Sequence, residues 1–108
     1  MTTIQKIIDN VFNKGTKEKS WVDGNDYGIK AIDFRKPFRV RGIDNFNVHT
    51  IALYVYSGKL VCAIHGHNVD DIYCEEYVTY YCDKLSDETL NDIYNVVSTI
   101  NKEDTFNA

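Results

Sequence analysis

The sequence is poor in most features that would place it in a special class. It has one proline, one tryptophan and three arginines in 108 residues. No run reaches the roughly 18 apolar residues of a membrane-spanning helix. No glycine-rich loop opens a helix, since Gly24 and Gly28 flank turn residues, so no nucleotide fingerprint is present. The cysteines, Cys62, Cys74 and Cys82, are odd in number and do not form a closed disulfide framework. Met1 to Asn13 lacks the apolar core and cleavage site of a signal peptide. The expectation is a reducing, cytoplasmic setting with buried free thiols. Repeats, linkers and low-complexity segments are absent.

What is present fits one folded domain over residues 1–108. Apolar residues make up 44% and charged residues 26%, which suits neither a disordered nor a fibrous chain. A net charge of −4 with a pI near 5.2 repels phosphate backbones overall. Asn, Ile, Lys and Tyr together supply 38 residues. Their codons are AT-rich, which points to an AT-rich genome such as that of a bacterium, phage or mobile element.

Hydrophobic periodicity supplies the elements. Ile4, Ile7, Ile8, Val11 and Phe12 form a helical stripe, capped by Thr2 or Thr3 and ended near Gly15. Lys19 to Val22 reads as a short strand and Asp23-Gly24-Asn25-Asp26 as a turn. Tyr27 to Phe34 is the returning strand. Pro37 makes Arg35 to Pro37 a loop or strand edge, and Phe38 to Ile43 resumes as a strand until Asp44-Asn45.

The clearest element is a hairpin. Val48 to Tyr56 and Lys59 to His65 flank a two-residue turn at Ser57-Gly58. That turn sets Val55 opposite Leu60, Leu53 opposite Cys62 and Ile51 opposite Ile64 on a wholly apolar core face. The other face pairs Tyr56 with Lys59, Tyr54 with Val61, Ala52 with Ala63 and Thr50 with His65. It is half apolar and needs cover from a helix, a second subunit or a partner.

Residues 69–82 carry two signals. Asn68, Asp70 and Asp71 suit a helix start, while Tyr77 to Cys82 has strand composition. A short helix turning into a strand is the reading. The last element is a helix with Ser86 as N-cap, a Leu85–Leu90 staple and a stripe of Leu90, Ile93, Tyr94, Val97 and Ile100. Lys102 to Ala108 reads as a frayed tail. The fold class is therefore α+β: an N-terminal helix, a mainly antiparallel sheet of four or five strands, and a C-terminal helix packed on it.

Several residue groups carry chemistry. His65, His67 and Asp70 or Asp71 can hold zinc or a two-metal hydrolytic centre. The segment is similar to the H-x-H-x-D-H motif of metallo-β-lactamase-fold hydrolases, but its aspartate comes one place late, Asp71 stands in place of the last histidine, and the chain is too short for that fold. A mixed site of Cys62, His65, Cys74 and Cys82 fails on its first half, because residues three apart on a strand face opposite ways. His67, Cys74 and Cys82 remain combinable. His49 reads as a partly buried histidine on the apolar side of its strand. Adjacent carboxylates, Asp70-Asp71 and Glu75-Glu76, do not share a face and make poor acid–base pairs. No catalytic residue is assigned, and the balance is against an enzyme.

Two binding surfaces remain. All three arginines lie in Arg35–Arg41, and on a strand Arg39 and Arg41 would share a face suited to an anion or nucleic acid. Seven of eight tyrosines lie between residues 54 and 94, more than a small core needs. Tyrosine is favoured at protein interfaces. The preferred expectation is a small, non-enzymatic, accessory or inhibitor-like protein that binds a protein partner or a second copy through Tyr54, Tyr56 and Tyr77, with Arg39 and Arg41. A metal hydrolase and a nucleic-acid binder are the alternatives.

Overall fold

The structure is a computed structural model, and it describes residues 1–17 and 27–106. The expected strand Lys19–Val22 and the turn at Asp23–Asp26 lie outside the described residues.

The chain runs α1 (Thr3–Lys14), β1 (Thr16–Lys17), β2 (Tyr27–Phe38), β3 (Phe46–Tyr56), β4 (Lys59–Asn68), β5 (Val78–Tyr81) and α2 (Asp87–Thr99), with short 3-10 turns at Cys82–Lys84 and Lys102–Asp104. The strands form one antiparallel sheet in sequence order. Short connections between neighbouring strands allow only antiparallel pairing. This is the α+β fold expected from the sequence.

Both helices start as their caps predict. Thr2 accepts from the Gln5 amide at 3.1 Å and Ser86 from the Thr89 amide at 3.3 Å, satisfying amides that have no partner within the helix. Gly15 ends α1, but in extended conformation rather than the left-handed one a C′ glycine supplies. Its role is close approach. A Cβ there would meet the Val11 carbonyl oxygen at 2.5 Å and the Ala31 carbonyl oxygen at 2.8 Å.

The hairpin register is the one the turn dictates, from Tyr56 opposite Lys59 through Ile51 opposite Ile64 to Thr50 opposite His65. Ser57 and Gly58 take φ of 50° and 75°, the twist that matches two antiparallel strands. Ile51, Leu53, Cys62 and Ile64 join Ile32 of β2, Ile7 and Val11 of α1, and Leu90, Ile93 and Val97 of α2 in one core. Each fully buried aliphatic side chain contributes about 1.5–3 kcal/mol. At the turn end the apolar face runs out, and Leu60 is exposed. The second face is closed as well, with Ala52, Tyr54, Ala63 and His65 all buried.

Three expectations change. Phe38–Ile43 is not a strand: β2 continues through Pro37 to Phe38, its pairing with β3 shifts between Asp33 and Phe38, and Arg39 begins a loop. Gly42 and Asn45 take positive φ there (87° and 56°) and turn the chain into β3. Residues 69–77 form turns instead of a helix. The Asp71 carboxylate accepts the Glu75 and Glu76 amides at 3.1 and 2.9 Å, and Cys74 takes φ 51°, so no helical ladder propagates. Strand composition prevails from Val78 onward, where β5 pairs with β4. Finally, the tail is docked through Phe106. Thr105 is buried and bridges to Phe34, its carbonyl accepts from Arg35 Nε at 2.9 Å, and the Phe106 amide donates to the Asp33 carbonyl at 2.9 Å.

Candidate functional site

The end of the sheet away from the Ser57-Gly58 turn gathers most of the reactive side chains. Its geometry starts with one extra residue in β3. Val48 opposes Gly66 and Thr50 opposes His65, so His49 is unpaired in a β-bulge. The bulge lets both Val48 and Ile51 reach the core, although three-residue spacing would set them on opposite faces. It also turns the His49 ring onto the His67 ring, with centroids 5.0 Å apart and planes at 82°. Extending the Ile51–Leu53 periodicity places His49 on the apolar side; the signal for the bulge is the change of apolar phase between Phe46–Val48 and Ile51–Leu53.

The bulge requires Gly66. A Cβ at that position would collide with the Asn47 backbone carbonyl. β4 then continues to His67, whose Nδ1 lies 2.9 Å from the Glu76 carbonyl oxygen and 3.7 Å from the Asp71 carboxylate. Tyr77 lies between the two β4 histidines, stacked on His65 at 5.3 Å and edge-on to His67 at 5.3 Å. His65 Nδ1 pairs with Thr79 Oγ1 on β5 at 2.8 Å.

The loop 69–77 folds back beside these rings. One ligand atom each of His49, His67 and Cys74 lies within 4.8 Å of the other two. Neither His65 nor Asp70 belongs to this group. His65 is held against Thr79 and Tyr77 in the face of the sheet, and Asp70 is exposed at the start of the loop. The metal-ligand set expected from the sequence, His65, His67 and Asp70, therefore shares only His67 with the set the fold assembles. Cys82 is also absent from it. Its Sγ lies 3.4 Å from that of Cys62, buried in the core. The placement of Cys62 and His65 on opposite faces agrees with their spacing.

The electrostatics favour neutral imidazoles. Burial, and secondarily His67, lowers the His49 pKa. Burial lowers that of His65 to about 4, against a smaller upward pull from Asp33. The Glu76 and Glu75 amides hold the Asp71 carboxyl below its usual range. The Cys62 thiol is pushed up by its contact with Cys82 and by burial, which makes it a poor nucleophile.

The arginines do not form a patch. Arg41 grips Asp92 with its side chain and its amide and also reaches Glu88. Arg35 donates to the Thr105 carbonyl and lies over the Phe106 ring at 4.8 Å. Arg39 is exposed on the intervening loop.

The tyrosines separate as well. Tyr54 is only 2% exposed and packs within the fold. Tyr56 is exposed at the hairpin turn, where it lines an apolar groove with Ile4, Ile8, Leu60 and Tyr81. Tyr77 is at the opposite end. There it joins the loop side chains Val69, Ile72 and Tyr73, so that four large apolar residues are 41%, 76%, 79% and 55% exposed in the order Val69, Ile72, Tyr73, Tyr77. The sequence patterning does not single out Ile72.

No helix among the described residues is long and apolar enough to cross a membrane. Comparison with protein-family models, with curated proteins and with solved structures finds no match.

Proposed function

We propose that this chain is a small protein-binding module whose contact surface is the loop 69–77 together with the adjoining edge strand β5. The observation that carries this reading is the exposure of Val69, Ile72, Tyr73 and Tyr77 on one loop. Clustered exposed apolar residues are costly in water and mark contact sites. Tyrosine suits such sites because it offers a large rigid area with one polar tip. The loop is tied down by Asp71 rather than free, so little ordering entropy opposes binding.

Of the contact residues expected from the sequence, Tyr77 stays and Val69, Ile72 and Tyr73 join it, while Tyr54, Tyr56, Arg39 and Arg41 fall outside this loop surface. A protein partner rather than nucleic acid is supported by the net charge of −4 and by the internal engagement of Arg35 and Arg41. Free thiols at Cys62, Cys74 and Cys82 support a reducing compartment such as the cytoplasm. An accessory or inhibitor-like role in a phage or mobile element rests on composition alone.

A photo-reactive residue in place of Tyr73 tests the reading. It should form a discrete adduct with one partner protein or with a second copy of the chain. The same probe at Lys59, beside the hairpin turn, should not. Equal labelling from both positions would refute a surface centred on the loop.

A further inference from the structure

The same end of the molecule holds three ligand-bearing side chains that the protein-binding reading does not use. We propose that His49, His67 and Cys74 form a mononuclear zinc site, with two imidazoles, one thiolate and a fourth position left for water.

Convergence is the first argument. The three ligand atoms come from a strand bulge, a strand and a loop, yet all lie within 4.8 Å of one another. Around a tetrahedral zinc, with Zn–N near 2.0–2.1 Å and Zn–S near 2.3 Å, ligand atoms are separated by about 3.3–3.6 Å. Closing onto an ion therefore needs a movement of about an ångström. Cys74 is exposed in a loop and can supply it.

The orientation of His67 is the second argument. A carbonyl oxygen only accepts, so the contact from Nδ1 to the Glu76 carbonyl at 2.9 Å requires the proton on Nδ1. Nε2 then carries the lone pair. An imidazole that donates one nitrogen to a backbone carbonyl and offers the other is the usual arrangement of a zinc-bound histidine.

The loop is the third argument. Cys74 adopts φ 51°, a left-handed conformation costly for a residue with a side chain. Asp71 holds that turn. Its carbonyl accepts the Cys74 amide at 3.0 Å, while its carboxylate accepts the Glu75 and Glu76 amides. One residue thus positions both the thiol and the carbonyl that orients His67. Thiolate with imidazole suits zinc and disfavours magnesium or calcium.

Cys74 lies on the loop of the binding surface, but the ligand atoms are not the apolar side chains that carry that reading, and the proposal is tested without any partner. Zinc is titrated into the purified chain, with native mass spectrometry for stoichiometry and competition with a chromophoric chelator for affinity. Cobalt(II) substitution reports the ligand set through thiolate-to-metal charge transfer. One ion per chain should bind, with a cobalt–thiolate band that is absent in Cys74→Ser. His49→Ala and His67→Ala should abolish the one-to-one complex, Asp71→Asn should weaken it roughly 10–100-fold, and Asp70→Asn should leave it unchanged. Circular dichroism confirms that the exposed Cys74→Ser variant is folded. Absence of a one-to-one complex in the wild type, or zinc binding that survives Cys74→Ser and His49→Ala, would overturn the assignment. An Ile72→Ser, Tyr73→Ser variant should still bind zinc, so loss of partner contact and loss of metal are separable.

Discussion

The Thr89 hydroxyl donates to the Arg41 carbonyl at 2.6 Å, and it is the atom nearest to a Cβ added at Gly42. This one contact fastens the β2–β3 connection to the first turn of α2. The turn is further held by Ser86, whose hydroxyl lies 2.9 Å from that of Thr89. Thr89→Val keeps the shape of the buried side chain and removes the donor. It should destabilise the protein by about 1–2 kcal/mol, seen as a lower urea midpoint with an unchanged denaturant slope. Gly42→Ala should be destabilising too, because φ is 87° there and the added methyl meets that hydroxyl.

The Arg41–Asp92 pair predicts a weakness to acid. The Arg41 side chain and then its amide hold the Asp92 carboxyl below the ordinary aspartate value of 3.8. The unfolded chain therefore takes up this proton first as pH falls. The stabilisation is complete above about pH 3.8 and is lost below it, through the folded-state value. Asp92→Asn should lower stability at pH 6, and the gap from wild type should narrow below pH 3.8. A gap independent of pH would assign the effect to packing instead.

Gly66→Ala should be among the most damaging single-methyl changes, at about 3 kcal/mol or more. The obstacle is the Asn47 backbone carbonyl, which cannot swing aside as a side chain could. Because the same close approach maintains the bulge at His49, the variant should also alter the His49 and His67 imidazole resonances in an NMR spectrum.

Removing residues 102–108 should destabilise the fold by about 2 kcal/mol, since Arg35, Asp33 and Phe34 all lose tail partners. Thermal unfolding of the truncated chain is the measurement. A fully frayed tail would leave the melting temperature unchanged.

Regular periodicity made the helices, their caps and the hairpin register up to the bulge legible in the sequence. Ser57-Gly58 alone set every cross-strand pair from Tyr56–Lys59 to Thr50–His65. Irregular backbone was not legible. The bulge at His49 left only an indirect mark, the change of apolar phase between Val48 and Ile51. The turn at Cys74 has a non-glycine residue at positive φ, which residue identity does not announce. Arg39 and Arg41 looked like strand neighbours because Val40 between them is apolar, and Val40 is indeed buried. The positive φ at Gly42 and the pull of Asp92 on Arg41 override that pattern. Two of the three grouped ligands, His49 and Cys74, sit at these irregular positions; the sequence could combine His67 with Cys74, but nothing in it brought His49 to them.

The most direct test of the protein-binding account is quantitative affinity capture with the wild-type chain and the Ile72→Ser, Tyr73→Ser variant, followed by measurement of affinity for the purified captured protein and of self-association. Both side chains are largely exposed, so the fold should be retained. The account predicts that a specific partner, or the dimer, binds at least about tenfold more weakly to the variant, a loss of about 1.4 kcal/mol, while Tyr56→Ser binds as the wild type does. Equal affinity of the wild type and the loop variant would contradict it.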